Sequence, residues 1–200
     1  MMPWQKNLFA LTFLGCVLPL SGEGQSSPEL LWERLPSIPD RVGFAGSFAG
    51  MSQGVLIVAG GANFPDKMPW AGGTKVWHDR IFALPASAAA WQEVGRLPTP
   101  NGYGASLSIG QDIILIGGGD AQKNFRTVWR ATWDGSAVRF TRWPDLPKPL
   151  AMLAATTVGN HLYVAGGLDH PDATTAQRVF LMLDTTRPHN KKRSHYFHPD

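Results

Sequence analysis

One phrase occurs three times in this chain and decides most of what it can fold into. Val55-Leu-Ile-Val-Ala-Gly-Gly61 returns as Ile113-Ile-Leu-Ile-Gly-Gly118 and again as Leu162-Tyr-Val-Ala-Gly-Gly167. The second glycines lie 57 and then 49 residues apart. A short apolar strand ending in two glycines, repeated with a period near 50, marks a unit that stacks on copies of itself. Each copy has matching flanks. Upstream stands a small-residue run: Phe44-Ala-Gly-Ser-Phe48, Tyr103-Gly-Ala-Ser-Leu107 and Met152-Leu-Ala-Ala-Thr156. Turn signals separate run from strand: Ser52-Gln-Gly54, Gly110-Gln-Asp112 and Gly159-Asn160.

Downstream the repeat predicts a third strand, with Trp77, Trp129 and Phe180 at related places. A fourth strand follows in two copies, carrying Trp91 or Trp143 and ending in Leu97-Pro98 or Leu146-Pro147. Four short strands per unit with turn chemistry between them describe a kelch-type β-propeller, an all-β fold. Glycine pairs suit the crowded hub, where neighbouring backbones approach closely. The tryptophans suit the wider space between sheets further out.

The units divide the chain. The first runs from about 41 to 98 and the second from about 101 to 147, with Asp134-Gly135 as a hairpin turn. The third has strands only as far as Asp184. An orphan segment, Leu30-Leu-Trp-Glu-Arg-Leu-Pro36, matches a fourth strand with no first three before it. A partial propeller of about three four-stranded blades is therefore expected over 30–184, a fragment of a longer ring. Residues 1–24 read as a signal peptide: Lys6 precedes the apolar run 8–20, and Ser21-Gly-Glu-Gly24 offers a cleavage site. That run is too short for a confident membrane span. The expected destination is periplasmic or secreted, ahead of lipoprotein anchoring through Cys16. Residues 185–200 read as a disordered tail.

Charge excludes one class of partner. The net charge is +3, and Arg187, Lys191, Lys192 and Arg193 against Asp200 account for all of it within the tail. A neutral body is no electrostatic footprint for nucleic acid. Cys16 is the single cysteine, and no His cluster of ligand spacing lies in the folded part, so no metal site is expected. Gly117-Gly-Gly119 followed by Asp120 lacks the lysine of a phosphate-binding loop and reads as blade architecture.

The long connection after Gly61 is the candidate site. From Gly61 to Trp77 is 16 positions, against 11 from Gly118 to Trp129. Long loops on rigid β scaffolds carry binding groups. Arg41, Asn63, Asp66, Lys67, Trp70 and Tyr103 are the binding candidates, in that loop or where the chain leads into a first strand.

Residues 38–50, the Val55–Gly61 phrase, Ala62-Asn-Phe-Pro65 and Tyr103-Gly-Ala-Ser-Leu107 together resemble the N-acetylneuraminate epimerase (sialic acid mutarotase) family, in its cyclically permuted kelch branch. The resemblance covers about 31–184. It implies a six-bladed propeller, exported to the bacterial periplasm, that interconverts the α and β anomers of N-acetylneuraminate without a cofactor. A general acid at the ring oxygen and a base at the anomeric hydroxyl are required, and a cation for the carboxylate. The family's proton-accepting glutamate has no counterpart before Asp184, so no catalytic residue is assigned and the three-unit chain is expected to be inactive alone. The competing reading is a non-catalytic kelch module that binds a glycan or a protein. The sequence does not fix the oligomeric state.

Overall fold

A computed structural model describes residues 30–186. The expected signal peptide, Cys16 and all of the tail beyond residue 186 lie outside these described residues. The chain divides into two compact units, 1–34 and 35–200. Of the first, residues 30–34 are described. They form no strand, and Leu30, Leu31 and Trp32 are exposed. The orphan segment matched a fourth strand in spacing, but spacing without a hydrogen-bonded neighbour does not make a strand.

In the second unit the described residues run through thirteen strands: β1 Phe48–Ser52, β2 Val55–Ala59, β3 Ala62–Asn63, β4 Val76–Trp77, β5 Arg80–Pro85, β6 Gln92–Arg96, β7 Ala105–Ile109, β8 Asp112–Ile116, β9 Val128–Trp133, β10 Val138–Trp143, β11 Ala154–Val158, β12 His161–Ala165 and β13 Phe180–Asp184. They form antiparallel blades in the order β1-β2-β5-β6, then β7-β8-β9-β10, then the three-stranded β11-β12-β13. A short ribbon, β3-β4, stands apart from the first blade. The first two strands of every blade meet in a two-residue hairpin, closing at Ser52↔Val55, Ile109↔Asp112 and Val158↔His161. At the first of these turns both Gln53 and Gly54 take positive φ, 50° and 77°. Such turns follow the strand twist, which is why Gly and Asn gather there.

The apolar phrases become the second strands, and their burial explains their composition. In β8 every residue is buried. Ile113 and Leu115 face a core shared with Phe48, Ile57, Ile81 and Ala83 of the first blade. Ile114 and Ile116 face the opposite way, into a core with Leu150, Leu153, Leu162, Val164 and Leu181 of the third. A strand buried on both faces has no polar side to display, so its sequence is continuously apolar rather than alternating. The half-buried Trp129 and Trp133 flank the first of these cores and Trp143 the second.

The first strands are the inner edges of the blades, and an unpaired edge needs partners for its backbone. Between the first two blades serine supplies them. Ala49 N–H donates to Ser106 Oγ at 3.0 Å, Ser106 Oγ–H donates to Ala49 O at 2.8 Å, and Met51 N–H donates to Ser108 Oγ at 2.8 Å.

Two register expectations are corrected. The residues opposite the ends of β2, β8 and β12 are Ile81, Val128 and Phe180, so the third strand of the first blade starts at Arg80 and Trp77 lies outside it, in the ribbon. Trp91 and Trp143 are not equivalent either: Trp91 precedes β6, where its indole N–H donates to Pro36 O at 2.8 Å, while Trp143 closes β10. Trp77 misled because the ribbon is inserted before the third strand, and Trp91 because the first blade's fourth strand is one residue shorter than the second's and pairs across a bulge at Ile81 and Phe82.

Candidate functional site

At the hub one residue per blade repeats a left-handed backbone. Gly46, Tyr103 and Met152 have φ of 65°, 61° and 53°. Each follows a residue held in a bridge: Ala45↔Ala62, Gly102↔Gly119 and Ala151↔Leu168. Two hydrogen bonds link the three, each donated by one blade's residue back to the carbonyl of the blade before it. Tyr103 N–H donates to Gly46 O at 2.7 Å, and Met152 N–H donates to Tyr103 O at 2.6 Å. This collar ties the inner ends of three blades together. For Tyr103 and Met152 the left-handed backbone costs about 1–2 kcal/mol each; Tyr103 is held by bonds on both sides and Met152 by its bond to Tyr103.

The glycine pairs sit behind the collar. Gly61 N–H donates to Asn101 O and Gly118 N–H to Leu150 O, both at 2.8 Å. A Cβ on Gly60 or Gly117 would come within 2.2 Å of Asn101 O or 2.3 Å of Leu150 O. Close backbone approach thus requires glycine here.

The β3-β4 ribbon rises from this hub. Ala62 pairs with Trp77 and Asn63 with Val76. In the second blade the same place is filled by a bridge from Gly119 to Asn124, with Asp120 Oδ1 accepting from the N–H groups of Gln122 and Lys123. The first blade therefore carries a ribbon with residues 64–75 at its tip where the second has a four-residue turn. The insertion is larger than sequence spacing indicated, because Trp77 aligns with Asn124 and not with Trp129.

The ribbon's base is a bonded network. Buried Asn63 donates from Nδ2 to Gly43 O at 2.8 Å, and its Oδ1 lies 2.8 Å from His78 Nε2. An accepting amide oxygen places the imidazole proton on Nε2. Phe44 meets the His78 ring edge-on at 5.0 Å. Asp40 Oδ1 accepts from the N–H groups of Val42 and Gly43, each at 2.9 Å.

Of the residues singled out from sequence, Arg41 and Asn63 join this frame. Arg41 donates to Pro65 O at 3.2 Å and braces the start of the loop. Asn63 spends its amide on the scaffold. Asp66, Lys67 and Trp70 lie in the exposed tip, Trp70 within the turn Pro69–Ala71, and are not gathered with the others. Tyr103 belongs to the collar, its ring lying over Gly46, where a Cβ would come 2.6 Å from Tyr103 Cδ1.

Sequence reasoning passed over Lys75. Its Nζ lies 4.1 Å from the Tyr103 ring centroid and 4.9 Å from that of Trp77. It brings the loop's return strand against the collar. The signal in sequence was slight: a lysine two residues before a tryptophan, with the second ring almost thirty residues on. His78 was read against metal binding; its partner is Asn63. Among the described residues no group of His, Cys, Asp and Glu is placed to hold a metal ion, and no helix is long and apolar enough to cross a membrane.

Comparison with known proteins places these features. The profile of the family described as N-acetylneuraminate epimerase matches residues 25–140, which include the ribbon and Tyr103. The N-acetylneuraminate epimerase of Salmonella arizonae is 40% identical over 109 residues, covering 47% of this chain and 28% of the relative. That of Haemophilus influenzae is 35% identical over 119 residues, covering 52% and 31%. The chain thus spans under a third of the length of these curated relatives. Among solved structures, that of YjhT, a kelch-type β-propeller, aligns with a TM-score of 0.51 at 27% identity, over 58% of this chain and 36% of that one. With the match extending over more than half its length, and the blades of a kelch propeller beneath it, this chain belongs to the N-acetylneuraminate epimerase family.

Proposed function

We propose that the chain serves sialic acid mutarotation, taking N-acetylneuraminate at the hub beside the ribbon and interconverting its α and β anomers. The observation that carries this reading is the coincidence of two things. The family match spans the first blade and most of the second, and the same stretch holds the collar residue Tyr103 and the inserted ribbon.

Anomer exchange opens and recloses a hemiketal. A base takes the proton of the anomeric hydroxyl, the bond from the anomeric carbon to the ring oxygen breaks, and an acid protonates that oxygen. The open ketone turns and the ring closes from the other face. No net electron transfer occurs and no atom is lost, so positioned side chains suffice. Such groups converge at a hub, where the blades' inner ends meet; of the collar residues Gly46, Tyr103 and Met152, Tyr103 is the one with an ionisable side chain. Export also forms part of the proposal, supported by the basic residue and apolar run of 1–24.

The test follows exchange by proton NMR after a sialidase releases one anomer, in buffer, with this chain, and with a ring completed by the remaining blades of the Salmonella arizonae epimerase. Exchange above the buffer rate in the completed ring supports mutarotation. A buffer rate throughout, with sugar resonances still broadened by protein, moves the reading to a non-catalytic glycan-binding module.

A further inference from the structure

We propose that Lys75, clamped between Trp77 and Tyr103, is the carboxylate subsite of the hub; the assignment rests on the mutarotase reading for the identity of the sugar, not for the presence of an anion site. Lys75 Nζ stands 4.1 Å from one ring centroid and 4.9 Å from the other. The two rings come from different blades. Trp77 is fixed by its β-bridge to Ala62, and Tyr103 by backbone bonds to Gly46 and Met152. A lysine stem is ordinarily mobile, with about 2 kcal/mol of rotamer entropy. Here the rings hold it, so an arriving anion finds the ammonium already placed.

The charge has no acidic partner. Among the described residues both arginines stacked on rings are neutralised: Arg80 over Phe82 pairs with Glu93 at 2.8 Å, and Arg142 over Trp129 pairs with Asp145 at 2.8 Å. Lys123, over Phe125 at 5.7 Å, lacks a carboxylate but is exposed to water. Lys75 is half-buried, and among the described residues no carboxylate lies within ion-pair distance of it. Asp66, the one acid in the tip loop, is exposed and unpaired with it. A partly desolvated ammonium satisfied only by π faces keeps free N–H donors and an uncompensated charge, and it attracts a single carboxylate more strongly than a solvated lysine does. One cation fits one carboxylate, which matches a sugar acid and not a neutral hexosamine.

The experiment is calorimetric titration of the full chain with N-acetylneuraminate, its neutral methyl ester and glucuronate, in wild type, Lys75→Gln and Lys75→Arg. Wild type is expected to bind the acid about tenfold more tightly than the ester, the scale of one charge-assisted hydrogen bond. Lys75→Gln is expected to remove that tenfold preference while leaving ester affinity unchanged, and Lys75→Arg to retain most of it. Equal weakening of acid and ester in Lys75→Gln, or no change in either, overturns the subsite and leaves Lys75 a brace between ribbon and collar. If N-acetylneuraminate fails to bind but glucuronate binds in a Lys75-dependent way, the subsite stands and the sialic acid reading falls. If no carboxylate binds at all, the subsite is overturned.

Discussion

At the scale of single residues, the three glycine pairs separate backbone strain from contact. Gly117 and Gly166 have nearly the same φ, 62° and 65°. A Cβ on Gly117 would strike Leu150 O at 2.3 Å, whereas a Cβ on Gly166 meets no atom of the described residues within 4 Å. Gly166→Ala is therefore expected to cost about 1 kcal/mol, from the left-handed backbone alone. Gly117→Ala is expected to cost at least about 2 kcal/mol more, since the third blade must move. Urea midpoints of the two variants measure the difference, and equal midpoints would show that the blades do not touch there. A second residue gives a pH signature. Asp134 accepts hydrogen bonds from Ala137 and Ser136 N–H and from Arg139, which hold its carboxyl well below the ordinary range. A depressed folded-state pKa contributes stability above the unfolded value, near about 4, and that contribution is lost as pH falls from there toward the folded value. The midpoint gap between wild type and Asp134→Ala is thus expected to narrow between pH 7 and pH 3. The Asp134-Gly135 turn was legible because Asp caps a turn with its own side chain. Tyr103 at positive φ was not, since the backbone there is imposed by neighbouring blades.

At the scale of elements, the ribbon and β8 pull apart what a sequence does and does not declare. β8 announced itself: Ile113-Ile-Leu-Ile116 is apolar on both faces because it has a blade on each side. The ribbon did not. β3 and β4 are two residues each, and no periodicity can be read from two residues. A tryptophan at the right distance was then taken for a third strand, and the insertion looked half its true size. Replacing residues 64–75 with the four-residue turn of the second blade is expected to leave the sheets intact by circular dichroism, because the tip is mostly exposed. It removes Lys75, so sugar-acid binding is expected to fall by tenfold or more. By contrast Ile114→Ala, in a fully buried position, is expected to cost about 2–5 kcal/mol.

At the scale of the whole molecule, stability should grade with the number of blade neighbours. The second blade has one on each side. On the third, the face bearing Val158, Tyr163 and Phe180 is partly open, with Phe180 stacked on Tyr163 at 5.7 Å. In repeat folds such interfaces carry much of the stability, so amide exchange is expected to be slowest in β8 and β9 and faster in β11 and β13. The number and order of blades were legible from the Gly-Gly period. The place of the proposed site was only half legible, since Tyr103, Trp77 and Lys75 come together through the closure of blades rather than through any local motif. The most direct test of the account is a titration of the 15N-labelled chain with N-acetylneuraminate, watching the indole N–H resonances of its tryptophans. If the hub beside the ribbon takes the sugar, the Trp77 resonance, assigned through Trp77→Phe, moves and saturates while those of Trp129 and Trp133, packed between blades, stay in place. A Trp77 resonance unmoved at saturating sugar, or shifts spread evenly over all the tryptophans, would contradict it.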